Sequence, residues 1–357
     1  MDFLEIPYPS HYPEQGKGGG PITMVDTEFI ERIDFYAGAF PARYGEKLSS
    51  VMDVTLREGN SNSHHQQMDL NMAGFGFTFE GPLSPKSTYL YSLKRSFLDF
   101  VISSTGMQAI PEYWSSQGKI AYHLSPTQKI YINFIGGIDE INIEGEDNPQ
   151  LRGAENVDYS SWQTTLGVTY KNLFSKKGYF QSSIGRSLVH LNTNVYELND
   201  NPTRNYYYRN NDLESDYSFR SEVVYKLFDN VEISSGLSAK HVELDFDNWY
   251  KNNPTYIYGY SLSESEIPQL ITKVKFDTTY FGKQYFYTII DSVGTLDTLK
   301  TNALLEYNKV GGFFHFNLNP LQKVEISIGG RFDYMTFTDE SDFSPRFGFK
   351  YHLSPIW

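Results

Sequence analysis

The stretch YSFRSEVVYKL, residues 217–227, decides the fold class because the character of its side chains changes at every position. A period of two places alternate side chains on opposite faces of a β-strand. This strand is therefore predicted to have one apolar and aromatic face and one polar face. The first face carries Tyr217, Phe219, Ser221, Val223, Tyr225 and Leu227, and the second carries Ser218, Arg220, Glu222, Val224 and Lys226.

The same alternation recurs along the chain, for example at residues 231–240 and 324–334. Runs of about 10 to 13 residues exceed the usual strand length of about 5 to 6 in globular sheets. They match the roughly 9 to 11 tilted residues that a strand needs to cross a bilayer. One face is then predicted to meet lipid, and the other an interior in which charged side chains pair with one another or are solvated. That interior face carries Arg220, Glu222, Lys226, Glu232, Lys240, Glu325, Arg331 and Asp333.

The connections between the predicted strands are short at one end of the sheet and long at the other. Tight turns are predicted near residues 84–86, 125–128, 175–178, 229–230 and 319–322, and long polar connections near 100–116, 144–158, 198–213 and 246–301. Outer-membrane barrels show this asymmetry, with tight periplasmic turns and extended extracellular loops. The phrase YHLSP, at 122–126 and again at 351–355, is predicted to be such a turn because proline cannot donate a ladder hydrogen bond.

Composition excludes several classes of function. The net charge is −13 and no basic run occurs, which argues against a nucleic-acid partner. Cysteine is absent, and no apolar stretch approaches the roughly 18 residues of a spanning helix. We find no motif typical of catalysis, cofactor binding or metal ligation, so we predict a protein that is not an enzyme and has neither cofactor nor metal site.

Counting the alternating runs predicts about eleven strands, with a single strand at 66–82 as the first. Plugged outer-membrane transporters have about 22 strands. The predicted fold class is therefore all-β, a transmembrane antiparallel β-barrel of which about half of the strands are present. Because bacterial barrels of one chain have an even number of strands, we expect the sequence to be a piece of a longer protein.

The stretch FIERIDFYAGAFPARYGEKLSSVMDVTLREG, residues 29–59, does not share the long alternating pattern and precedes it. Asp26 or Thr27 can cap a short helix, which we predict to continue through Arg32. A strand is predicted at residues 33–36, a turn at 38–45 and a second strand at 51–57. This stretch is therefore predicted to belong to a separate strand-turn-strand unit.

The same stretch resembles the end of the plug domain of TonB-dependent outer-membrane receptors, and its residue sequence is most similar to that of receptors of the Bacteroidetes type. In that family an I-E-R-I segment leads through glycine and Y-G to a strand that approaches the barrel. One departure is Leu48-Ser49-Ser50, where a second pair of glycines is usual. The residues that carry the resemblance are Ile30, Glu31, Arg32, Ile33, Gly38, Phe40, Pro41, Arg43, Tyr44, Gly45, Ser49, Ser50 and Val51.

The resemblance implies that residues 1–60 are the C-terminal part of an α+β plug domain and residues 61–357 the N-terminal half of the barrel. It implies energy-coupled import of a scarce nutrient, such as a siderophore, cobalamin, an oligosaccharide or a peptide, across the outer membrane of a Gram-negative bacterium. The implied partners are outer-membrane lipid, the TonB complex through a segment upstream of this sequence, the extracellular nutrient and a surface lipoprotein.

Aromatic residues crowd the predicted long connections and are the candidate ligand contacts. Tyrosine makes rigid contact surface that suits sugars, peptides or chelates, and it also suits a girdle at the membrane edge. The candidates are Tyr206, Tyr207, Tyr208, Trp249, Tyr250, Tyr256, Tyr258 and Tyr260. Two other classes of function stay open from the sequence: a passive outer-membrane pore or barrel enzyme, and a soluble carbohydrate-binding β-protein.

Overall fold

The computed structural model describes residues 1–14, 20, 22–37, 40–47, 49–71, 74–97, 109–143, 156–198, 204–252, 255–261, 276–280, 283–293, 297–321 and 323–351. Most of these residues belong to β-strands. Within these ranges, no helix has both the length and the apolar character that crossing a membrane requires. The predicted turn at 351–355 lies almost entirely outside the described residues.

Residues 1–60, which we call the N-terminal segment, contain two short antiparallel strand pairs. Strands β1 (Ser10–His11) and β2 (Ile22–Thr23) form the first pair, and β3 (Ile30–Ala37) and β4 (Ser50–Leu56) form the second. This second pair confirms the predicted strand-turn-strand unit.

A short 3-10 helix (Thr27–Phe29) lies between the two pairs, and the Asp26 carboxylate accepts a hydrogen bond from the Glu28 backbone N–H at its start. The predicted cap at Asp26 is thereby confirmed. The predicted helix through Arg32 is wrong: the helix ends at Phe29 because residues 30–37 take their backbone partners from β4.

The remaining strands, in chain order, are β5 (His65–Asn71), β6 (Gly74–Ser84), β7 (Ser87–Ser96), β8 (Ala109–Ser125), β9 (Gln128–Ile143), β10 (Asn156–Ser175), β11 (Gly178–Leu198), β12 (Arg204–Phe228), β13 (Val231–Asn252), β14 (Thr255–Ser261), β15 (Phe276–Tyr280), β16 (Lys283–Val293), β17 (Asp297–Leu321), β18 (Val324–Met335) and β19 (Glu340–Tyr351). Twelve of them, β5–β13 and β17–β19, form one antiparallel sheet in chain order, which we call the large sheet. Strands β14–β16 form a separate three-stranded sheet, so β13 pairs directly with β17.

The predicted meander of long strands is confirmed, but the predicted strand at 66–82 is wrong. Those residues form two antiparallel strands, β5 and β6, because the chain reverses between Asn71 and Gly74, which pair with each other. The described part of the chain therefore contributes twelve strands to the large sheet, rather than about eleven.

Two of the predicted long connections consist largely of strand. Strand β12 begins at Arg204 and β13 continues to Asn252, so the sheet extends into the polar stretches 198–213 and 246–301. The pairing of β12 and β13 continues there because ladder hydrogen bonds join backbone groups and do not require apolar side chains. The long connection after β13 also holds β14–β16, which the sequence did not predict.

The two faces of the large sheet differ as the alternation predicts. Apolar side chains stand exposed on its outer face, among them Leu166, Ile184, Phe219, Leu237, Val310, Phe314 and Ile328. Polar side chains are buried on its inner face, among them Gln117, Lys119, Asn133, Asp139, Gln163 and Glu222. An apolar outside around a polar inside is the reverse of a soluble barrel and is the arrangement of a transmembrane β-barrel.

The large sheet curves around the N-terminal segment. Arg57 of the segment pairs with Glu80 on β6, while Phe40 packs beneath Arg346 on β19, at the far edge of the sheet. A flat sheet of twelve strands would be roughly 50 Å wide, since neighbouring strands lie about 4.8 Å apart. Contacts of one short segment with strands at both sides of the sheet indicate that the sheet curves around it, and this puts the segment where the plug of a barrel is expected.

Candidate functional site

The interface between the N-terminal segment and the inner face of the large sheet is held by ion pairs, mostly with the acid on the segment and the base on the sheet. The pairs are Asp2–Lys119 at 2.9 Å, Glu5–Lys240 at 3.0 Å, Asp26–Lys94 at 2.9 Å, Glu46–Lys309 at 2.7 Å and Glu58–Lys129 at 2.9 Å. Two pairs have the opposite sense, Arg43–Glu222 at 3.1 Å and Arg57–Glu80 at 2.6 Å. The inward charges predicted on β12, β13 and β18 thus include residues that bind this segment.

Glu5 lies at the centre of a charged cluster that joins the N-terminal segment to β13. Its carboxylate is 3.0 Å from the Lys240 ammonium on β13 and 3.2 Å from the Lys47 ammonium on the segment. Burial by itself would raise the pKa of Glu5, but Lys240, Lys47 and Arg220 outweigh burial and lower that pKa to about 2. Glu5 is therefore charged at physiological pH and joins two parts of the N-terminal segment to the sheet.

Lys119 on β8 anchors the start of the chain to the end of β4. Its ammonium pairs with Asp2 at 2.9 Å and donates a hydrogen bond to the Leu56 carbonyl at 2.6 Å. The ring of Tyr131 lies 4.5 Å from the same ammonium, and the Lys119 side chain is only 3 % exposed. A cation buried this deeply is stable only because each of these partners compensates for lost water.

A second anchor gathers around Asp139 on β9, and sequence reasoning missed it. The buried Asp139 carboxylate accepts hydrogen bonds from the Tyr12 N–H at 3.0 Å and the Ser161 hydroxyl at 2.9 Å, and it also bonds to the His11 ring. Gln163 donates to the Ser10 carbonyl at 2.9 Å. The available signal was that Asp139 has the inward parity of β9 and follows the apolar and glycine stretch at residues 134–138. Among the described residues, no cluster of three or more acidic or His side chains could hold a metal ion.

The first half of the predicted plug signature divides between a buried and an exposed surface. Ile30 packs partly buried beside the core of Phe29, Val54, Leu56 and Leu90. Glu31, Arg32 and Ile33 stand exposed on β3, where Arg32 pairs with Asp34 at 3.0 Å. Gly38 lies outside the described residues. The exposed residues of this motif are therefore accessible to solvent rather than part of the buried core.

The second half of the signature forms the turn that docks on the sheet. Phe40 is buried 4.7 Å from the Arg346 guanidinium, and the Pro41 carbonyl accepts a hydrogen bond from the Tyr44 N–H at 3.1 Å. The Tyr44 hydroxyl donates to Asp53 at 2.6 Å. Burial, together with the Asp53 carboxylate, raises the pKa of Tyr44, so its hydroxyl stays a donor. Ser49 and Ser50 are exposed where β4 begins.

Arg43 and Gly45 of this turn both lie against the large sheet. Burial alone would lower the pKa of Arg43, but its partner Glu222 raises that pKa, so Arg43 stays charged. A Cβ atom added to Gly45 would overlap the Arg331 guanidinium. Arg331 cannot easily move away, because it bonds to Asp333 at 2.6 Å and to Ser238 at 3.1 Å. Only glycine fits this close approach.

A cavity of about 630 Å³ separates part of the N-terminal segment from β12, β13, β17 and β18. Its lining is both charged and apolar and includes Glu5 and Arg43 from the segment and Lys240 and Arg331 from the sheet. A space with so many charged walls is suited to water, which could reach the ion pairs at its edge.

The candidate ligand tyrosines do not form one surface. Tyr206, Tyr207 and Tyr208 lie on β12, and neighbouring residues of a strand face opposite ways. Tyr208 lies opposite Tyr250 on the inner face, which it shares with Glu214 and Glu222 of the same strand. Tyr206 lies on the outer face, with its ring 3.7 Å from the Arg209 guanidinium.

The other aromatic candidates add little to an inward surface. Tyr207 occupies the bulge between the two registers of β12 and is only 8 % exposed. Trp249 lies opposite Arg209 on the outer face. Tyr256, Tyr258 and Tyr260 lie on β14, and their side chains are outside the described residues. Of the eight candidates, Tyr208 and Tyr250 are the two that the described structure places together facing inward.

Solved outer-membrane receptors share this architecture. A mutant of the ferric enterobactin receptor PfeA from Pseudomonas aeruginosa aligns over 97% of this chain and 50% of its own, with 14% identity and a TM-score of 0.59. The siderophore receptor PirA from Acinetobacter baumannii aligns over 99% and 50%, with 14% identity and a TM-score of 0.60. The outer membrane transporter YddB from Escherichia coli aligns over 94% and 47%, with 12% identity and a TM-score of 0.56.

The chain therefore spans about half the length of these structures. At this level of identity the similarity shows the fold, and it confirms the fold expected from the resemblance to TonB-dependent receptors. It does not support the narrower resemblance to receptors of the Bacteroidetes type. No protein-family model matches the sequence, and no curated protein matches it.

Proposed function

We propose that the chain is the end of the plug and the first half of the barrel of a TonB-dependent outer-membrane receptor that imports a scarce nutrient. The observation that carries the proposal is the placement of the N-terminal segment inside a curved sheet that is apolar outside and polar inside. In this proposal residues 1–60 belong to the plug and residues 61–357 to the barrel. The sheet contacts outer-membrane lipid, and a segment upstream of residue 1 contacts the TonB complex.

The polar character of the interface suits a plug that must be displaced and must return. An apolar interface of the same size would expose apolar surface to water whenever it opened, which is unfavourable. Here the separating groups are charged, and water in the lumen can solvate each of them as its partner leaves. A pull on the N-terminal segment would therefore break pairs such as Glu5–Lys240 and Arg43–Glu222 one after another, at a modest energy for each.

The nutrient enters from the extracellular end, where β12 and β13 extend farthest from the tight turns. Tyr208 and Tyr250 face inward there and are our candidates for ligand contact. Siderophores, cobalamin, oligosaccharides and peptides are the nutrient classes that we propose to test, and a surface lipoprotein is a candidate partner in capture.

Energy-dependent uptake tests the proposal. A strain lacking the gene should lose growth when a siderophore chelate, cobalamin, an oligosaccharide or a peptide is the sole source of iron, cofactor or carbon. The intact gene should restore growth, and a protonophore or loss of TonB should abolish uptake of the labelled nutrient. Uptake that persists without a proton gradient would instead support a passive pore.

Fractionation separates the remaining alternatives. The protein should stay with outer membranes until detergent is added. Release into buffer without detergent would support a soluble carbohydrate-binding β-protein. Conversion of the nutrient at the cell surface, without its entry, would support a barrel enzyme.

A further inference from the structure

The outer face of the large sheet changes from apolar to polar along a single row that crosses four neighbouring strands. Arg186 on β11, Tyr217 on β12, His241 on β13 and Asn308 on β17 lie directly opposite one another in register. The neighbouring row of outward-facing residues lies two positions closer to the tight turns and is formed by Ile184, Phe219, Ala239 and Val310. We call the first of these rows the polar row.

A groove lies on the apolar side of the polar row. Its volume is about 630 Å³, and it opens on the outer face of the sheet. The small side chain of Ala239 leaves a depression between the larger side chains of its neighbours. The apolar lining is formed by Leu166, Val168, Ile184, Phe219, Ala239 and Val310.

Arg186 stands at the head of this groove with its charge uncompensated. Its side chain is exposed, and its guanidinium lies 4.7 Å from the centre of the Tyr217 ring. No carboxylate in the described part of the chain reaches ion-pair distance of it. The other titratable imidazole or basic side chain of the polar row, His241, is bonded to Asn308 at 2.9 Å and to Glu243 at 3.2 Å. Glu243 and Glu306 lie one row farther from the groove.

We propose that this groove binds one acyl chain of an anionic phospholipid, whose phosphate is held by Arg186. The inference rests on the proposed function, because the groove faces lipid only if the sheet spans the membrane. An apolar groove alone would accept any acyl chain. The unpaired guanidinium adds selectivity, since its planar donors match a phosphate group and its position beside Tyr217 is that of a membrane edge.

Native mass spectrometry of the intact protein, purified in detergent, tests the inference with phosphatidylglycerol and phosphatidylcholine of identical acyl chains. The protein should retain phosphatidylglycerol preferentially. Arg186→Gln should lower the affinity for phosphatidylglycerol about fivefold, because one cation near a membrane surface contributes roughly that factor. The affinity for phosphatidylcholine should not change. Ala239→Leu should lower retention of both lipids, because it fills the groove.

Arg209→Gln is the matched control, since Arg209 also lies over a tyrosine ring on the outer face, at 3.7 Å, but is not part of the groove lining. This control should bind both lipids as the parent does. Equal retention of both lipids by the parent would overturn the inference. So would displacement of phosphatidylglycerol by inorganic phosphate with no effect of Ala239→Leu, which would indicate a site for free phosphate.

Failure of this inference is distinguishable from failure of the proposed function. Lipid binding is measured on purified protein without transport, whereas the proposed function is judged by detergent-dependent extraction and energised uptake. A receptor that passes both of those tests but shows no lipid preference would refute the lipid site alone.

Discussion

Replacing Glu5 by Gln should loosen the N-terminal segment from the sheet by about 2 kcal/mol. The pKa of Glu5 falls from its ordinary 4.5 to about 2 in the folded protein. Each pKa unit corresponds to about 1.4 kcal/mol, so the surroundings favour the charged carboxylate by about 3 kcal/mol. We reduce this figure because the side chain is 22 % exposed and because Lys240 retains Asp216 at 3.6 Å and Glu46 at 3.7 Å.

A single introduced thiol can measure this change. The chain contains no cysteine, and the side chain of Ala42 is fully buried in the turn that docks on the sheet. In an Ala42→Cys background, a maleimide reacts only when the N-terminal segment opens, so the labelling rate reports the free energy of local opening. Glu5→Gln should raise that rate about 30-fold, since 1.4 kcal/mol corresponds to a factor of ten.

The control is Glu31→Gln in the same background, because Glu31 is an exposed carboxylate on β3 of the same segment. It should change the labelling rate less than twofold, as is usual for surface substitutions of small effect. If Glu5→Gln labels no faster than this control, the Glu5 cluster does not hold the segment, and the reasoning from its lowered pKa is refuted.

Two further predictions concern the same interface. Gly45→Ala should weaken docking of the N-terminal segment by about 1 to 3 kcal/mol because the added methyl group overlaps Arg331. The maleimide labelling rate at position 42 should rise, and Arg331→Ala should restore part of the lost docking energy. An unchanged labelling rate would contradict the steric reasoning. Thermal stability should decline as pH falls from about 4.5 towards 2. Because the pKa of Glu5 is lowered in the folded protein, its contribution to stability is complete above pH 4.5 and is lost as the carboxylate takes up a proton. If the Tm of Glu5→Gln changes with pH in parallel with the Tm of the parent over this range, Glu5 makes no such contribution.

Most of the large sheet could be predicted from sequence because its strands are long and alternate regularly. Residues 217–227 are the clearest case, and the structure places their charged and apolar side chains on the faces that the alternation predicts. The turn between β5 and β6 was missed because the alternation around Asn71 and Gly74 resembles one continuous strand. The polar beginning of β12 was not predicted as strand because strands were recognised by their apolar side chains. The ladder in this part of β12 is held by backbone hydrogen bonds, which do not depend on apolar side chains.

The candidate site could be predicted only in outline. The resemblance of residues 29–59 to a plug identified the turn that carries Arg43 and Gly45, and the inward charges of β12, β13 and β18 were recognised as a group. Their partners were not, and neither was the buried anchor at Asp139. The candidate tyrosines lie on both faces of the sheet because neighbouring residues of a strand alternate. The bulge at Tyr207, which no local pattern predicted, also puts Tyr206 and Tyr208 on different faces.

By itself, the sequence determined the period of the strands, the apolar and polar faces, and the tight turns, because each depends on residues that are neighbours along the chain. Only the tertiary structure decided that Glu5 meets Lys240, that Gly45 lies against Arg331, and that an unpaired Arg186 stands above a groove. Those contacts join residues far apart in sequence, and they form only when the sheet curves and brings its inner face around the N-terminal segment.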